Sequence, residues 1–190
     1  MVRDEQWGVF RHAALDRLYL DHDNAARVLR WMGTEFDRLR AGNEADFQLI
    51  GDAMAYILDY AELFHHPNED VMFARLEARD ASLADLLAEL AREHVELAEQ
   101  GAELRLVVAG GERACELDVD MVSNLGQAYT VSFHRHMDVE EGSVLPLVDQ
   151  IFESADWQAV ARRLVHMDDP LFGRRMPSRF RALRGRLQQG

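Results

Sequence analysis

Apolar residues recur every three or four positions along most of this 190-residue chain, and proline rarely interrupts the pattern. The chain has four prolines, and Pro67 is the only one before residue 146. Alanine, leucine, glutamate and arginine dominate the sequence, whereas runs of β-branched residues are nearly absent. This composition and spacing are typical of long amphipathic helices. The sequence therefore predicts an all-α protein.

Four long segments carry this pattern, and short runs of turn-forming residues separate them. We predict helices at about residues 10–40, 45–78, 82–108 and 117–152. The links contain Ala41-Gly42-Asn43, Asp80-Ala81-Ser82 and Gly110-Gly111. Because the four helices are of similar length and the links are short, we expect an up-down-up-down four-helix bundle. Pro67 should kink or loosen the second helix near residue 63.

The last part of the chain departs from the long-helix pattern. Two short helices are indicated there, the first by Trp157, Val160 and Leu164 and the second by Phe172, Phe180, Leu183 and Leu187. Asp169-Pro170 breaks the chain between them. We therefore expect a four-helix bundle at residues 1–155 and a helical C-terminal extension at 156–190 that packs on it. The extension is rich in arginine, so it can dock on the acidic surface of the bundle.

Charge and hydropathy restrict the partners of the protein. The formal net charge of −13 disfavours binding to nucleic acid or to anionic membranes, because both would repel the chain. The sequence has no apolar run near the roughly 18 residues of a membrane span, and its first residues lack the apolar stretch of a signal peptide. We therefore expect a cytoplasmic protein. Cys115 is the only cysteine, which excludes an intramolecular disulfide.

Histidines and glutamates suggest a metal site inside the bundle. Each predicted helix has one histidine on its apolar face, and two of these histidines are followed by a glutamate four residues later: His22, His65, Glu69, His94, His136 and Glu140. Residues four apart lie one turn apart on the same face of a helix. A buried carboxylate is costly unless it is paired or binds a metal. The six residues together therefore predict a metal centre in the core.

The ligand types favour a pair of iron ions. Six nitrogen and oxygen ligands exceed the four that a structural zinc ion takes, and mixed imidazole and carboxylate ligation suits iron or manganese. Two metal ions bridged by Glu69 and Glu140 would use all six residues. A ferritin-like site needs Glu-x-x-His on two helices, and this chain has that spacing once, from Glu62 to His65. The His-then-Glu order therefore points away from a ferritin-like site.

Four segments in combination resemble hemerythrin-like proteins, the HHE cation-binding domain family. They are LDHDNAARVL around His22, HHPNEDVMF from His65, REHVELA around His94 and HRHMDVEEGSVLP around His136. The resemblance covers roughly residues 10–155. It implies that the four histidines are terminal ligands and that Glu69 and Glu140 bridge two iron ions in an oxo- or hydroxo-bridged centre. It also implies a small diatomic molecule or a peroxide as the ligand.

One departure from the family pattern leaves the function open. Oxygen-carrying hemerythrins have two histidines four apart on the third helix, whereas Leu90 and Ala98 lie four residues to either side of His94. A site with one ligand fewer is more open, which disfavours simple oxygen storage. The protein would then bind or sense dioxygen, nitric oxide or peroxide. Alternatively, it is an enzyme that decomposes peroxide, reduces nitric oxide or repairs iron–sulfur clusters. A third possibility is a metal-stabilised interaction or regulatory module. A homo-oligomer is compatible with each of these functions.

Several other residues near the predicted site have weaker signals. His66 lies about 100° around a regular helix from His65, so we expect it behind the ligands or at the surface. His134 is nearly opposite His136 and should be exposed or lie at an interface. Glu62 and Asp138 are candidates for orienting the imidazoles by accepting their second N–H, unless they simply face solvent. We expect apolar side chains such as Leu90 and Phe133 to limit the access of water to the metals.

Overall fold

The computed structural model describes residues 13–111 and 118–189, and this part of the chain forms helices without any strand. The α-helices are α1 (Ala13–Arg40), α2 (Phe47–Tyr60), α3 (His66–Arg79), α4 (Ala84–Gly111), α5 (Val119–Val139), α6 (Leu145–Ile151), α7 (Ser154–Ala161) and α8 (Arg181–Leu187). The predicted all-α bundle is confirmed. No helix within the described ranges has both the length and the apolar character that crossing a membrane requires. His12 and Cys115 lie outside the described residues.

Short polar residues set the ends of the long helices. The side chain of Asp46 accepts a hydrogen bond from the backbone N–H of Leu49 at 3.0 Å, and Asp118 accepts one from Met121 at 2.9 Å. These contacts satisfy backbone donors that the first turn of a helix leaves free. Gly42 ends α1 with a φ of 79°, a left-handed conformation that glycine adopts without strain.

Two π-helical turns interrupt segments that the sequence predicted as continuous helices. We call each of the four long helical segments of the bundle a rod: α1, α2 to α3, α4, and α5 to α6. The turn Ala61–His65 joins α2 to α3, and the turn Glu140–Val144 joins α5 to α6. In each, a backbone N–H donates to the carbonyl five residues earlier, and a proline, Pro67 or Pro146, follows that donor directly. A proline has no N–H and collides with the carbonyl four residues before it, and a wider turn relieves both problems. The loosening predicted near residue 63 is thus confirmed, whereas its counterpart before Pro146 was missed.

The core of the bundle consists of two apolar clusters with a polar layer between them. The larger cluster includes Val28, Met32, Phe36, Met54, Leu97, Tyr129 and Phe133. The smaller cluster includes Leu15, Leu18, Met72, Leu76, Leu90, Val144 and Val148. Along each rod, the chain passes from one cluster to the other through the region of the predicted metal-binding residues. The polar layer is therefore closed by apolar side chains at both ends.

The C-terminal extension packs on the bundle through apolar residues and one buried carboxylate. Leu171, Phe180 and Leu183 join the larger cluster. Asp169 is 3% exposed and accepts hydrogen bonds from the Asn24 amide and the Tyr56 hydroxyl, at 3.1 and 3.0 Å. This buried acceptor connects the extension to α1 and α2.

The short helices of the extension differ from the prediction in their bounds. The first, α7, ends at Ala161, so Leu164 lies beyond it. The second, α8, begins only at Arg181, because Pro170 and Pro177 keep the intervening chain out of a helix. Arginine contributes to the docking at Arg179, whose guanidinium lies 3.2 Å from the Asp52 carboxylate.

Candidate metal centre

The six residues predicted as metal ligands meet in the polar layer. His22 lies on α1, His65 at the end of the first π-helical turn, Glu69 on α3, His94 on α4, His136 on α5 and Glu140 at the start of the second π-helical turn. None of them is more than 6% exposed. Four rods of the bundle thus each bring one histidine to the same level, and two rods also bring a carboxylate.

The two glutamates, which we call the inner carboxylates, lie at the middle of this group. His22 Nε2 lies 3.2 Å from an oxygen of Glu69 and 3.4 Å from an oxygen of Glu140. From the other side, His94 Nε2 lies 3.6 Å from Glu69 and 3.4 Å from Glu140. Both imidazoles therefore contact both inner carboxylates.

The other two histidines each contact the glutamate one turn after them on the same rod. His65 Nε2 lies 3.2 Å from Glu69, and His136 Nε2 lies 3.2 Å from Glu140. The imidazoles form two pairs, because the ring centres of His22 and His65 are 4.8 Å apart and those of His94 and His136 are also 4.8 Å apart. Each pair faces the inner carboxylates from a different side.

The cluster is highly charged even without a cation. Burial and the neighbouring Glu140 would raise the pKa of Glu69, but His65 and His22 outweigh them and hold it below its ordinary value. Burial would lower the pKa of each histidine, yet Glu69 and Asp21 raise that of His65 to about 9. Protons on the imidazoles therefore balance the inner carboxylates where metal cations would otherwise do so.

The donor set fits a metal. Within the described residues, Glu69 Oε2, both Glu140 oxygens and the Nε2 atoms of His94 and His136 are buried and have no hydrogen-bond partner. Native proteins rarely leave such groups unsatisfied, because each costs about 1–3 kcal/mol. These atoms point at one another, and imidazole nitrogens with carboxylate oxygens are the ligands that iron and manganese accept.

A second group of carboxylates lies outside the cluster and contacts the outer nitrogens of the histidines. His22 Nδ1 lies 2.9 Å from Glu141, and His136 Nδ1 lies 2.9 Å from Glu93. A carboxylate can only accept, so Nδ1 carries the hydrogen in each pair. In the neutral imidazole, the lone pair of Nε2 then points inward, as a metal ligand requires.

Carboxylates also lie near the Nδ1 atoms of the remaining two histidines, but without a hydrogen bond among the described residues. His65 Nδ1 lies 3.6 Å from Asp21, and His94 Nδ1 lies 3.3 Å from Asp70. We call Asp21, Asp70, Glu93 and Glu141 the outer carboxylates. Each is next in sequence to a residue of the cluster but contacts the histidine of a neighbouring rod. Asp21 on α1 contacts His65 on the second rod, and Asp70 on that rod contacts His94 on α4. Glu93 on α4 contacts His136 on α5, and Glu141 on the last rod contacts His22 on α1, which closes the circuit.

The outer carboxylates differ from those expected from the sequence. Glu62 lies 3.3 Å from Nδ1 of His66 instead of contacting one of the four cluster histidines, and Asp138 is exposed. The available signal was an acidic residue directly beside four of the six predicted ligands, as in Asp21-His22 and Glu93-His94. A neighbour in sequence points about 100° away on a helix, which directs it toward the adjacent rod.

His66 occupies a buried position beside the cluster. It is 4% exposed, and its ring stacks on that of His94, with 4.0 Å between ring centres and 9° between planes. His66 therefore lies behind the predicted ligand His94, which is one of the two positions expected from the sequence, and not at the surface. His134 is half-buried, and its Nδ1 lies 2.7 Å from the carbonyl oxygen of Thr130.

The apolar boundaries of the site match the sequence expectation. Leu90 and Phe133 are 0% and 2% exposed. Leu90 belongs to the smaller apolar cluster and Phe133 to the larger one, so they lie on opposite sides of the polar layer. Both present apolar surface to the layer.

Comparison with protein families agrees with this geometry. The family model for the hemerythrin HHE cation binding domain matches residues 13–148, from the first residue of α1 into α6. The chain belongs to the hemerythrin HHE cation-binding family. Comparison with curated proteins and with solved structures finds no match. Cation binding is the property of this family, and the buried groups that can hold a metal ion include His22 with His65 and Glu69, and Glu69 with His94 and Glu140.

Proposed function

We propose that the protein is a non-haem di-iron protein that binds or senses dioxygen, nitric oxide or peroxide. The observation that carries the proposal is the position of Glu69 and Glu140 between two pairs of imidazoles. A single ion would leave one pair without a function, whereas two ions bridged by both carboxylates would engage both pairs. In this arrangement His22 and His65 would hold one ion, and His94 and His136 the other.

Iron suits this site better than the common alternatives. Zinc in structural sites takes four ligands and often includes thiolates, and magnesium and calcium prefer oxygen alone. Four imidazoles with two carboxylates match the nitrogen and oxygen sets of non-haem iron. Two bound irons would supply electrons and free coordination positions for a small ligand.

The residues around the cluster would set the conditions for this chemistry. The outer carboxylates orient the imidazoles, as Glu141 does for His22 and Glu93 for His136. The apolar clusters above and below the polar layer limit the access of water. A small uncharged molecule crosses such walls more readily than an ion does, which favours a diatomic molecule or hydrogen peroxide as the ligand.

An enzyme on the same site is the second candidate. The observation that favours it is the composition of α4, in which Leu90 and Ala98 flank His94 at the spacing of one turn. This helix contributes one imidazole, and a metal with fewer protein ligands has more positions for substrate. Sustained turnover of peroxide or nitric oxide by the iron-loaded protein would favour this candidate over pure binding.

Metal content tests the proposed function directly. We expect freshly purified protein to contain about two irons per chain by mass spectrometry, with near-ultraviolet bands of a bridged iron pair. Glu69→Ala and His136→Ala should abolish stoichiometric iron, because each removes a ligand. His134→Ala is the matched control, because the His134 ring bonds to its own helix away from the cluster. Equal iron in all three variants would refute the ligand assignment, and zinc alone in the wild type would refute the function.

A further inference from the structure

We propose that His66 is a seventh ligand of the metal centre and binds the ion held by His94 and His136. This inference rests on the proposed function and deepens it, because no part of the predicted ligand set includes His66. The three side chains form a group that can hold a metal ion, with one ring nitrogen of each lying within 4.8 Å of the others. All three are buried.

The surroundings of His66 leave its ring nitrogens free for such a role. Among the described residues, neither Nδ1 nor Nε2 of His66 has a hydrogen-bond partner, although both atoms are buried. The carboxylate of Glu62 lies 3.3 Å from Nδ1 and is itself 39% exposed. A buried imidazole without hydrogen bonds is costly, and a metal ion would satisfy it.

The position of His66 offsets the ligand that α4 lacks. Leu90 and Ala98 stand one turn to either side of His94, so α4 has no second imidazole there. The widened π-helical turn before His66 instead brings an imidazole from α3 to the same side of the cluster. The ion at His94 and His136 would then have three imidazoles, whereas the ion at His22 and His65 would have two.

The stacked rings define what must move when the metal binds. The planes of His66 and His94 are 9° apart with 4.0 Å between centres, so the nitrogen lone pairs, which lie in the ring planes, do not converge on one point. The His66 ring must therefore turn about its Cβ–Cγ bond to bind. No hydrogen bond among the described residues holds the ring in place, so the turn alters the stacking on His94 and the 3.3 Å contact with the half-exposed Glu62.

Metal retention and X-ray absorption test this assignment. We expect His66→Leu, loaded anaerobically with ferrous iron, to retain about one iron per chain at a chelator concentration that leaves about two in the wild type. The average number of imidazoles per iron should fall from about 2.5 to about 2, because one of five ligating histidines is lost. Mössbauer spectra should show two unequal irons in the wild type and more similar irons in the variant that is fully loaded without chelator.

Two further variants separate ligation from packing. His66→Phe keeps a ring that can stack on His94 but removes both nitrogens, so it should lose iron as His66→Leu does. His134→Leu removes a histidine outside the cluster and should retain both irons. If His66→Leu and His66→Phe hold both irons as tightly as the wild type, with unchanged absorption spectra, His66 is not a ligand and the proposed function stands. Wild-type protein without paired irons would overturn the proposed function and this assignment together.

Discussion

At the scale of single residues, the orientation of the His22 and His136 imidazoles depends on a carboxylate from another rod. Glu93 illustrates the geometry, because it precedes His94 on α4 but accepts a hydrogen bond from His136 on α5. This contact fixes the ring so that Nε2 faces Glu140. An ionised acceptor also makes the imidazole a stronger electron donor toward a metal. The outer carboxylates therefore contribute to metal affinity without touching the metal.

Replacement of Glu93 by glutamine tests this contribution. Glu93→Gln keeps an acceptor oxygen but removes the charge, so we expect iron to bind about 10- to 100-fold more weakly. Competition with a chelator of known affinity measures the change. Glu89→Gln is the matched control, because Glu89 lies one turn earlier on α4 and pairs with Arg92 at the surface. If both variants bind iron like the wild type, the hydrogen bond to His136 has no role in affinity.

The sequence contains enough information for part of this site. Spacing alone placed His65 with Glu69 and His136 with Glu140, because four residues make one helical turn in any bundle. The contacts of Glu93 and Glu141 with histidines on other rods depend on how the helices are rotated against one another. Periodicity within one helix does not determine that rotation. The same limit explains why the sequence left open whether His66 lies behind the ligands or at the surface.

At the scale of helices, close approach of α1 and α5 depends on a glycine. A Cβ atom on Gly126 would lie 2.4 Å from the ring of Phe36, which is fully buried on α1. Contacts that short do not occur between a real Cβ and a ring, so the buried Phe36 ring or one of the two helices would have to move. These helices carry His22 and His136, so their separation also affects the metal site.

Alanine at Gly126 should therefore destabilise the bundle. We expect Gly126→Ala to lower the free energy of unfolding by about 1–3 kcal/mol, as measured by denaturant titration of the metal-free protein. Gly33→Ala on α1 is the control, because its nearest neighbours are 3.9 Å from the added Cβ. There the gain in helix propensity should stabilise by about 0.5–1 kcal/mol. Equal effects of the two substitutions would contradict the steric account of Gly126.

The four rods show which features of a helix, such as its ends and its interruptions, a sequence can predict. The bundle follows from apolar periodicity and from turn residues such as Gly42, whose positions agree with the ends of the helices. The disruption at Pro67 was predictable because the proline lies within an apolar pattern. Pro146 lies close to the expected end of its helix, where a proline carries less information. The equivalent π-helical turns became recognisable only from the backbone.

At the scale of the whole molecule, the imidazoles in the polar layer of the metal-free bundle carry positive charge because they bind protons. Burial opposes the charge on His94, but Asp70 and Glu140 raise its pKa to about 10. The pKa of His22 is raised well above its ordinary value by Glu140, Glu141 and Glu69 against the effect of burial. Bound metal ions need neutral imidazoles, so metal binding should release up to about four protons per chain near neutral pH.

This exchange of protons for metal predicts opposite pH dependences for the two forms. The pKa values of about 9 for His65 and about 10 for His94 exceed the value of about 6.5 in an unfolded chain. The folded metal-free protein therefore binds more protons, and this stabilisation is complete below pH 6.5 and is lost as the pH rises through 9 to 10. In the loaded protein, metal ions replace these protons, and less competition from protons strengthens metal binding as the pH rises.

Calorimetry in the presence and absence of a chelator measures this difference. We expect the unfolding temperature of the chelated protein to fall by at least about 5 °C between pH 6.5 and pH 9, because several buried ion pairs lose their charge. The anaerobic ferrous protein should keep a constant or rising unfolding temperature over the same interval. His134→Ala should behave like the wild type in both forms, because it leaves the cluster unchanged. A chelated protein whose unfolding temperature rises toward pH 9 would show that its imidazoles are already neutral and that the polar layer is held together without protons or metal.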